Sequence, residues 1–307
     1  EKKMSKATFQ ELLDAGVHFG HQKRKWNPAM APYIFGEKKG IHVIDLNKTI
    51  AHLDQACAAM TQIAKSGKKV LFVATKKQAK EILSDRIKPL NMPYVTERWT
   101  GGMLTNFQTT RKSIRKMVAI DKMQTDGTWE TLSKRERLFK TRQREKLDKN
   151  FGSIVDMTRQ PAAIFLVDIL KENIALNEAR RLNIPIFAIV DTNTNPKSVD
   201  FPIPANDDAT KSIAIILDQV SEAIRVGLEE RKLNKDKAAS EKPAEKVAEK
   251  KEEKVAETEA PVEKEKTPAK KAPAKKAAAK KTVEAVAEVK EETAEKVASE
   301  TEETKGK

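Results

Sequence analysis

The sequence has little of what a disulfide-bonded or membrane-spanning protein needs. Its 307 residues include one cysteine, Cys57, so no disulfide can form within the chain, which fits a reducing cytoplasm. No apolar run reaches the roughly 18 residues that a membrane-spanning helix requires. We therefore expect a cytoplasmic protein with no membrane partner.

The chain also lacks the glycine-rich loops with which many α/β proteins bind nucleotides. No GxxxxGK[ST] motif occurs, and the turns after the predicted strands at Lys76, Asp168 and Asp191 contain no glycine. We therefore expect no cofactor and no small-molecule substrate. Asp168 and Asp191 stand at strand ends, a catalytic position in many enzymes, but no histidine is near them in sequence. An enzyme with a site at these two residues stays a minor alternative, based on fold-level analogy.

The C-terminal segment 241–307 lacks arginine, aromatic residues, leucine, isoleucine and methionine. It holds 17 Lys and 17 Glu, so its net charge is zero. Such a composition cannot bury enough apolar surface to offset the entropy lost on ordering, and we expect a disordered Lys/Glu/Ala-rich tail over 234–307. A lysine block at 266–281 leaves open a second alternative, a nucleoid-type DNA-binding protein that acts through this tail.

The rest of the chain carries the whole net charge of +14. Half of this charge lies in one segment, 111–149, where 13 Lys or Arg stand against 6 Asp or Glu. A soluble helix usually mixes the two signs, whereas residues 111–116 contain four bases and no acid. A strongly basic segment of this kind indicates a surface that binds a phosphate backbone.

Short apolar runs alternate with helical patterns over residues 4–233. The predicted strands are Ile41–Leu46, Val70–Ala74, Tyr94–Thr96, Ala163–Val167 and Ile186–Val190, and Phe201–Ile203 is expected to be a short extended segment. Strands joined by single helices form right-handed crossovers in a mostly parallel sheet that is covered on both faces. We therefore predict an α/β fold with a flavodoxin-like sheet of about five strands.

Helix signals complete the predicted domain. Asn47 is expected to cap one helix, and the last is expected to run from Asp207 to about Arg231. Residues 103–157, after the third predicted strand, hold two apolar stripes around a turn signal, which predicts an inserted antiparallel helical hairpin. The first stripe is Ile114, Met117 and Val118, and the second is Leu132, Leu138, Phe139, Leu147 and Ile154.

His18 and His21 have the short spacing of a metal-binding pair. Zinc needs two further ligands, and Cys57, His42 and His52 lie on other predicted elements without paired spacing. We expect the two histidines to pack or hydrogen-bond within a loop, and we predict no metal site.

Several basic groups stand beside an aromatic residue or at the start of a rigid element. Arginine and lysine in such places suit contacts to sugar–phosphate and to unpaired bases. The ordinary alternative for any run of charge is a solvated helix face. The candidate RNA-binding residues are Lys23, Arg24, Lys25, Trp26, Lys76, Lys77, Arg98, Trp99, Arg111, Lys112, Arg115 and Lys116.

Six longer motifs, in order, resemble the bacterial family of small-subunit ribosomal protein S-two. They are GVHFGHQKRKWNPAMAPYIFG from Gly16, IHVIDLNKT from Ile41, VLFVATKKQA from Val70, ERWTGGMLTNF from Glu97, PIFAIVDTNTNP from Pro185 and DFPIPANDDA from Asp200. The resemblance spans about residues 8–228. It implies a flavodoxin-like domain with a hairpin insertion and a structural, non-catalytic role on the solvent side of the small ribosomal subunit, near the head–body junction.

The resemblance also implies two kinds of partner. One is small-subunit ribosomal RNA, which the matched basic segments would contact. The other is the large mRNA-binding ribosomal protein S-one, which the family helps to recruit during translation. We therefore expect a cytoplasmic, ribosome-associated protein that docks on RNA as Arg and Lys neutralise phosphates at positions fixed by the fold.

Overall fold

The computed structural model describes residues 7–256, and their side chains as far as Lys235. The chain divides into two compact units, Glu1–Lys246 and Val247–Lys307. The second unit is described only from Val247 to Ala256, where it is helical. Residues 4–6 of the predicted domain, and the tail from 257 with its lysine block, lie outside the described residues.

Eight strands and eight α-helices are found in the described part of the chain. The strands are β1 Phe19–Gln22, β2 Ile34–Lys38, β3 Ile41–Ile44, β4 Val70–Val73, β5 Tyr94–Val95, β6 Ala163–Val167, β7 Ile186–Val190 and β8 Phe201–Pro204. The helices are α1 Phe9–Asp14, α2 Leu46–Lys65, α3 Lys77–Ile87, α4 Phe107–Thr125, α5 Thr128–Thr131, α6 Lys134–Phe151, α7 Asn173–Arg181 and α8 Thr210–Ala256. Over these residues, no helix combines the length and the hydropathy of a membrane span.

The central element is a parallel sheet with strand order β5-β4-β6-β7-β8. Strands β4, β6 and β7 are buried at every residue, which explains their uninterrupted apolar sequences. Phe72, Phe165 and Phe187 belong to one apolar cluster with residues of α1, α2, α3 and α8. Leu71 and Ile164 belong to a second cluster with α7 and the base of the hairpin. The predicted flavodoxin-like sheet of five strands is confirmed.

The first predicted strand does not belong to this sheet. Ile41–Ile44 is the middle strand of a separate antiparallel sheet with the order β1-β3-β2. Lys39 and Gly40 both have positive φ, which closes a tight hairpin between β2 and β3 and excludes a helical crossover. The insertion therefore follows the second strand of the main sheet, not the third. The cap of α2 is Asp45, whose carboxylate accepts from the Asn47 amide at 3.0 Å, and not Asn47 itself.

The inserted antiparallel hairpin is present. Helices α4 and α6 pack together, with Arg144 of α6 bound to Asp121 of α4 at 2.9 Å. The first predicted stripe does form the contact, since Ile114 is buried. The second stripe is wrong at Leu138 and Phe139, which are exposed, because α6 packs along one narrow side and is covered by little else.

Helix α8 begins at Thr210, three residues later than predicted, because the Asn206 side chain holds the preceding turn. It continues to Ala256, beyond the predicted end near Arg231. Gly227 lets α8 approach α2 closely, since an added Cβ would lie 2.7 Å from the Thr61 carbonyl oxygen. The close approach of these two helices covers one face of the central sheet.

Candidate functional site

Charged side chains converge at the carboxyl ends of four adjacent strands of the central sheet. Lys76, Asp168 and Asp191 follow β4, β6 and β7, and Asp207 and Asp208 follow β8. Parallel strands end at the same edge, so residues far apart in sequence meet there. Lys76 Nζ lies 2.8 Å from Asp207 Oδ1 and 2.6 Å from Asp208 Oδ1. We call these five residues, together with His21, the edge cluster.

His21 reaches the edge cluster from the small antiparallel sheet. Its Nδ1 lies 2.9 Å from Asp191 Oδ2, and its backbone amide donates to Thr192 Oγ1 at 2.8 Å. Gly20 permits this approach, because an added Cβ would lie 2.6 Å from Thr192 Cγ2. The contacts fix β1 against the loop that follows β7. His18, by contrast, packs against Phe19 with tilted rings 4.0 Å apart and takes no part in the cluster.

The edge cluster holds more negative charge than Lys76 can balance. Burial raises the pKa of Asp207, and the charges of Asp191 and Asp168 raise it further, against the opposing effect of Lys76. Burial disfavours the charge on Lys76, but its hydrogen bonds to the aspartates outweigh burial and raise its pKa. The hydrogen bond with Asp191 raises the pKa of His21 in spite of burial.

A buried glutamate organises the loop that leads into the hairpin. The Glu178 carboxylate on α7 accepts hydrogen bonds from Trp99 Nε1 at 3.1 Å and from the amides of Gly102, Leu104 and Thr105 at 2.7 to 3.1 Å. Burial disfavours its charge, but these hydrogen bonds outweigh burial, so the pKa of Glu178 is lowered. Trp99 is only 6% exposed, so its ring is part of the protein interior and is not offered to RNA.

The first predicted basic group is exposed at the surface. Residues Lys23 to Lys25 form a short 3-10 turn directly after β1. Lys23 pairs with Glu37 at 2.7 Å, whereas Arg24 and Lys25 have no acidic partner in the described part of the chain. Trp26 is 37% exposed and lies 5.2 Å from a histidine ring. Two free charges and an accessible indole thus stand side by side.

The remaining candidates differ in exposure. Five are exposed and have no acidic partner among the residues the structure describes: Lys77, Arg98, Lys112, Arg115 and Lys116. Arg111 is half-buried and donates to the Thr158 carbonyl oxygen, which ties the start of the hairpin to the segment after it. Lys76 is 12% exposed and surrounded by aspartates, so its charge is used inside the protein and is not free for RNA.

Residues 12–227 match the family model described as ribosomal protein S2. The chain belongs to the ribosomal protein S2 family. A relative named small ribosomal subunit protein uS2, from Bacteroides thetaiotaomicron, is 62% identical over 245 residues, covering 79% of this chain and 88% of that protein. Relatives of the same name from Phocaeicola vulgatus and Porphyromonas gingivalis are 64% and 59% identical over 232 residues, covering 76% of this chain and 83% of each protein.

Membership of the ribosomal protein S2 family confirms the resemblance drawn from the six motifs. The family consists of structural ribosomal proteins and not of enzymes. The alternative of a catalytic site at Asp168 and Asp191 is therefore set aside. The two residues instead belong to the edge cluster, where Asp168 also caps the next turn by accepting from the Leu170 amide at 3.0 Å.

In this member of the ribosomal protein S2 family, the hairpin has a second basic face beyond the predicted residues. Phe139 on α6 is 68% exposed, and it lines a shallow groove with Arg142 and Lys146. An exposed aromatic ring beside two cations suits a base stacked next to its phosphates. The spacing of Arg142 and Lys146 by four residues indicates in the sequence that they share one helix face. Phe139 on the same face was assigned to a buried apolar stripe, so the sequence did not show that this face is exposed.

Proposed function

We propose that this member of the ribosomal protein S2 family, a structural constituent of the small ribosomal subunit, binds small-subunit ribosomal RNA. The contacts are made by exposed Lys and Arg side chains on two elements. One element is the loop 23–26, and the other is the hairpin helix α4. The observation that carries the proposal is a set of exposed cations that have no acidic partner among the described residues: Arg24, Lys25, Lys112, Arg115 and Lys116. By contrast, Lys65, Lys80 and Arg86 are bound to acids of the same chain.

The fold determines where these charges stand. The contact of His21 with Asp191 holds the strand before the loop 23–26, and the carboxylate of Glu178 holds the segment before α4. Because these contacts tie both segments to the folded domain, we expect the cations to keep a fixed spacing that can match a particular course of the RNA backbone. Phosphate contacts of this kind position a protein without reading sequence, and their affinity falls with salt as counterions are released.

Exposed aromatic rings add a second kind of contact. Trp26 in the loop and Phe139 on α6 are accessible to solvent, and each lies beside two basic side chains. Unpaired RNA bases stack on such rings, whereas a duplex presents mainly phosphates and 2′-hydroxyls. We therefore expect each ring to contact a loop, bulge or helix end of the RNA. We also expect the protein to be associated with ribosomes in the cytoplasm.

Recruitment of ribosomal protein S-one is the second part of the proposal. The small antiparallel sheet exposes three large apolar side chains, Phe19, Phe35 and Ile41, and Phe35 is 81% exposed. A surface of this composition suits a protein neighbour better than RNA. Loss of S-one from subunits that retain a Phe35→Ser variant would support this assignment, and unchanged S-one content would oppose it.

Crosslinking tests the RNA interface directly. The full chain is bound to small-subunit ribosomal RNA, irradiated, and its crosslinked peptides are identified. The proposal predicts crosslinks within 23–26 and along α4 and α6. Crosslinks confined to 241–307 would contradict it and would favour the nucleoid-type alternative that acts through the tail.

A further inference from the structure

A buried carboxylate oxygen in the edge cluster has no partner. Asp207 is fully buried, and its Oδ2 makes no hydrogen bond within the described residues, although its Oδ1 is bound by Lys76. Asp191 is 1% exposed, and the Nδ1 of the His21 imidazole lies 2.9 Å from its Oδ2. Buried polar atoms are rarely left in this state, because desolvation is costly unless a hydrogen bond or a cation compensates it.

The edge cluster also contains more negative than positive side chains. Four aspartates, at 168, 191, 207 and 208, face one lysine, and a protonated His21 would add only one further positive charge. Lys76 is already engaged with three of these aspartates. The unpartnered oxygen of Asp207 therefore faces a region in which the protein supplies too little positive charge.

The donor atoms are close enough for one ion. His21, Asp191 and Asp207 each offer a ligand atom, and all three atoms lie within 4.8 Å of one another. The geometry points to a divalent transition-metal site of the zinc class, ligated by the His21 imidazole and the carboxylates of Asp191 and Asp207. An imidazole ligand favours Zn²⁺ over Mg²⁺ and Ca²⁺, which prefer all-oxygen sites.

The ion would have a structural task. His21 belongs to β1 of the small sheet, whereas Asp191 and Asp207 follow β7 and β8 of the main sheet. A metal bound to all three would therefore join the two sheets. It would also fix the basic loop that starts immediately after β1 at Lys23.

Zinc titration of the full-length protein tests this site. The purified chain is treated with a chelator, dialysed, and titrated with Zn²⁺ by calorimetry, with Mg²⁺ as the comparison ion. The expected result is one saturable Zn²⁺ equivalent and much weaker binding of Mg²⁺. His21→Gln and Asp207→Asn are each expected to weaken Zn²⁺ binding by about tenfold or more. His18→Gln is the matched control from the same segment and should bind as the wild type does.

Thermal unfolding separates loss of the site from loss of the fold. Zn²⁺ in excess should raise the melting temperature of the wild type and of His18→Gln, and should leave that of His21→Gln unchanged, because only a native state that binds the ion gains stability. Absence of a saturable equivalent in the wild type would overturn the inference, even if both site variants fail to fold. Wild-type affinity in a folded His21→Gln would overturn it equally.

Discussion

The Trp99 indole donates a hydrogen bond to Glu178 Oε1 at 3.1 Å, and both side chains are buried. The contact joins helix α7 to the segment that opens the hairpin. Three backbone amides and the Thr105 hydroxyl donate to the same carboxylate. One buried anion thus sets the direction in which the basic helix α4 leaves the domain.

Replacement of this anion should cost stability. In Glu178→Gln the side-chain shape is kept, but an amide group replaces an oxygen that faces buried N–H donors. We expect the free energy of unfolding to fall by about 2–4 kcal/mol, because charged hydrogen bonds are lost and donors stay unsatisfied. Chemical denaturation measures the change. Glu81→Gln, at an exposed glutamate on α3, should change stability by less than about 0.5 kcal/mol; equal losses in the two variants would refute the role of Glu178.

The pH dependence of stability should also report Glu178. Its folded pKa lies below the ordinary value of 4.5, so the folded state holds this proton less tightly than the unfolded state does. Its contribution is therefore complete above about pH 4.5 and is lost as the pH falls through the folded pKa. The stability gap between the wild type and Glu178→Gln should be widest near neutrality and should narrow in acid. A gap that stays constant from pH 7 to pH 3 would contradict the lowered pKa.

Sequence patterns predicted the parts of the fold that depend on periodicity. The uninterrupted apolar runs of β4, β6 and β7 mark strands buried on both faces, and the stripe at Ile114 marks the contact face of α4. They did not predict the buried role of Trp99. Its partner, Glu178, is 79 residues distant, and no local pattern shows that an acid on α7 will collect donors from another loop.

Neutralising the hairpin should weaken RNA binding and reduce its dependence on salt. In the triple variant Lys112→Gln, Arg115→Gln, Lys116→Gln, the slope of log K against log salt should become shallower by about 2 to 3, because up to three phosphate contacts are lost. Filter binding to small-subunit ribosomal RNA over a range of salt measures the slope. Because all three positions are exposed, we expect the variant to keep the fold, and circular dichroism checks this.

A matched triple variant controls for net charge. Lys65→Gln, Lys80→Gln and Arg86→Gln remove the same three charges, but these bases are paired with Glu230, Glu97 and Asp218 within the chain. We expect this variant to keep the wild-type slope. If both triple variants lowered the slope equally, general electrostatic attraction, and not a defined hairpin interface, would explain RNA binding.

The exposed indole of Trp26 should contribute through stacking. Trp26→Ala is expected to reduce RNA affinity by about 1–3 kcal/mol, with little change in stability because the ring is partly exposed. Trp26→Phe keeps an aromatic face and should recover most of the loss. Fluorescence anisotropy measures the RNA affinity of the wild type and of both variants. Equal affinities of the alanine and phenylalanine variants would exclude stacking.

The edge cluster could not be predicted from the spacing of residues in the sequence. The pair His18 and His21 is visible in the sequence, but the structure groups only His21 with Asp191 and Asp207, while His18 packs on Phe19. That grouping depends on the parallel order of β7 and β8 and on the position of the small sheet. Only the folded topology brings these residues together, so short-range spacing could not predict it.

Sedimentation of cell lysates through a sucrose gradient shows whether the chain joins small ribosomal subunits and whether the basic hairpin is needed for this. Tagged wild-type chain, the hairpin variant with Lys112, Arg115 and Lys116 changed to glutamine, and the control variant at Lys65, Lys80 and Arg86 are expressed at equal levels. We expect the wild type and the control to travel with small ribosomal subunits, and the hairpin variant to shift toward the free pool. A wild-type chain found mainly in the free pool, or a hairpin variant retained as fully as the control, would refute the role of the basic hairpin in the small subunit.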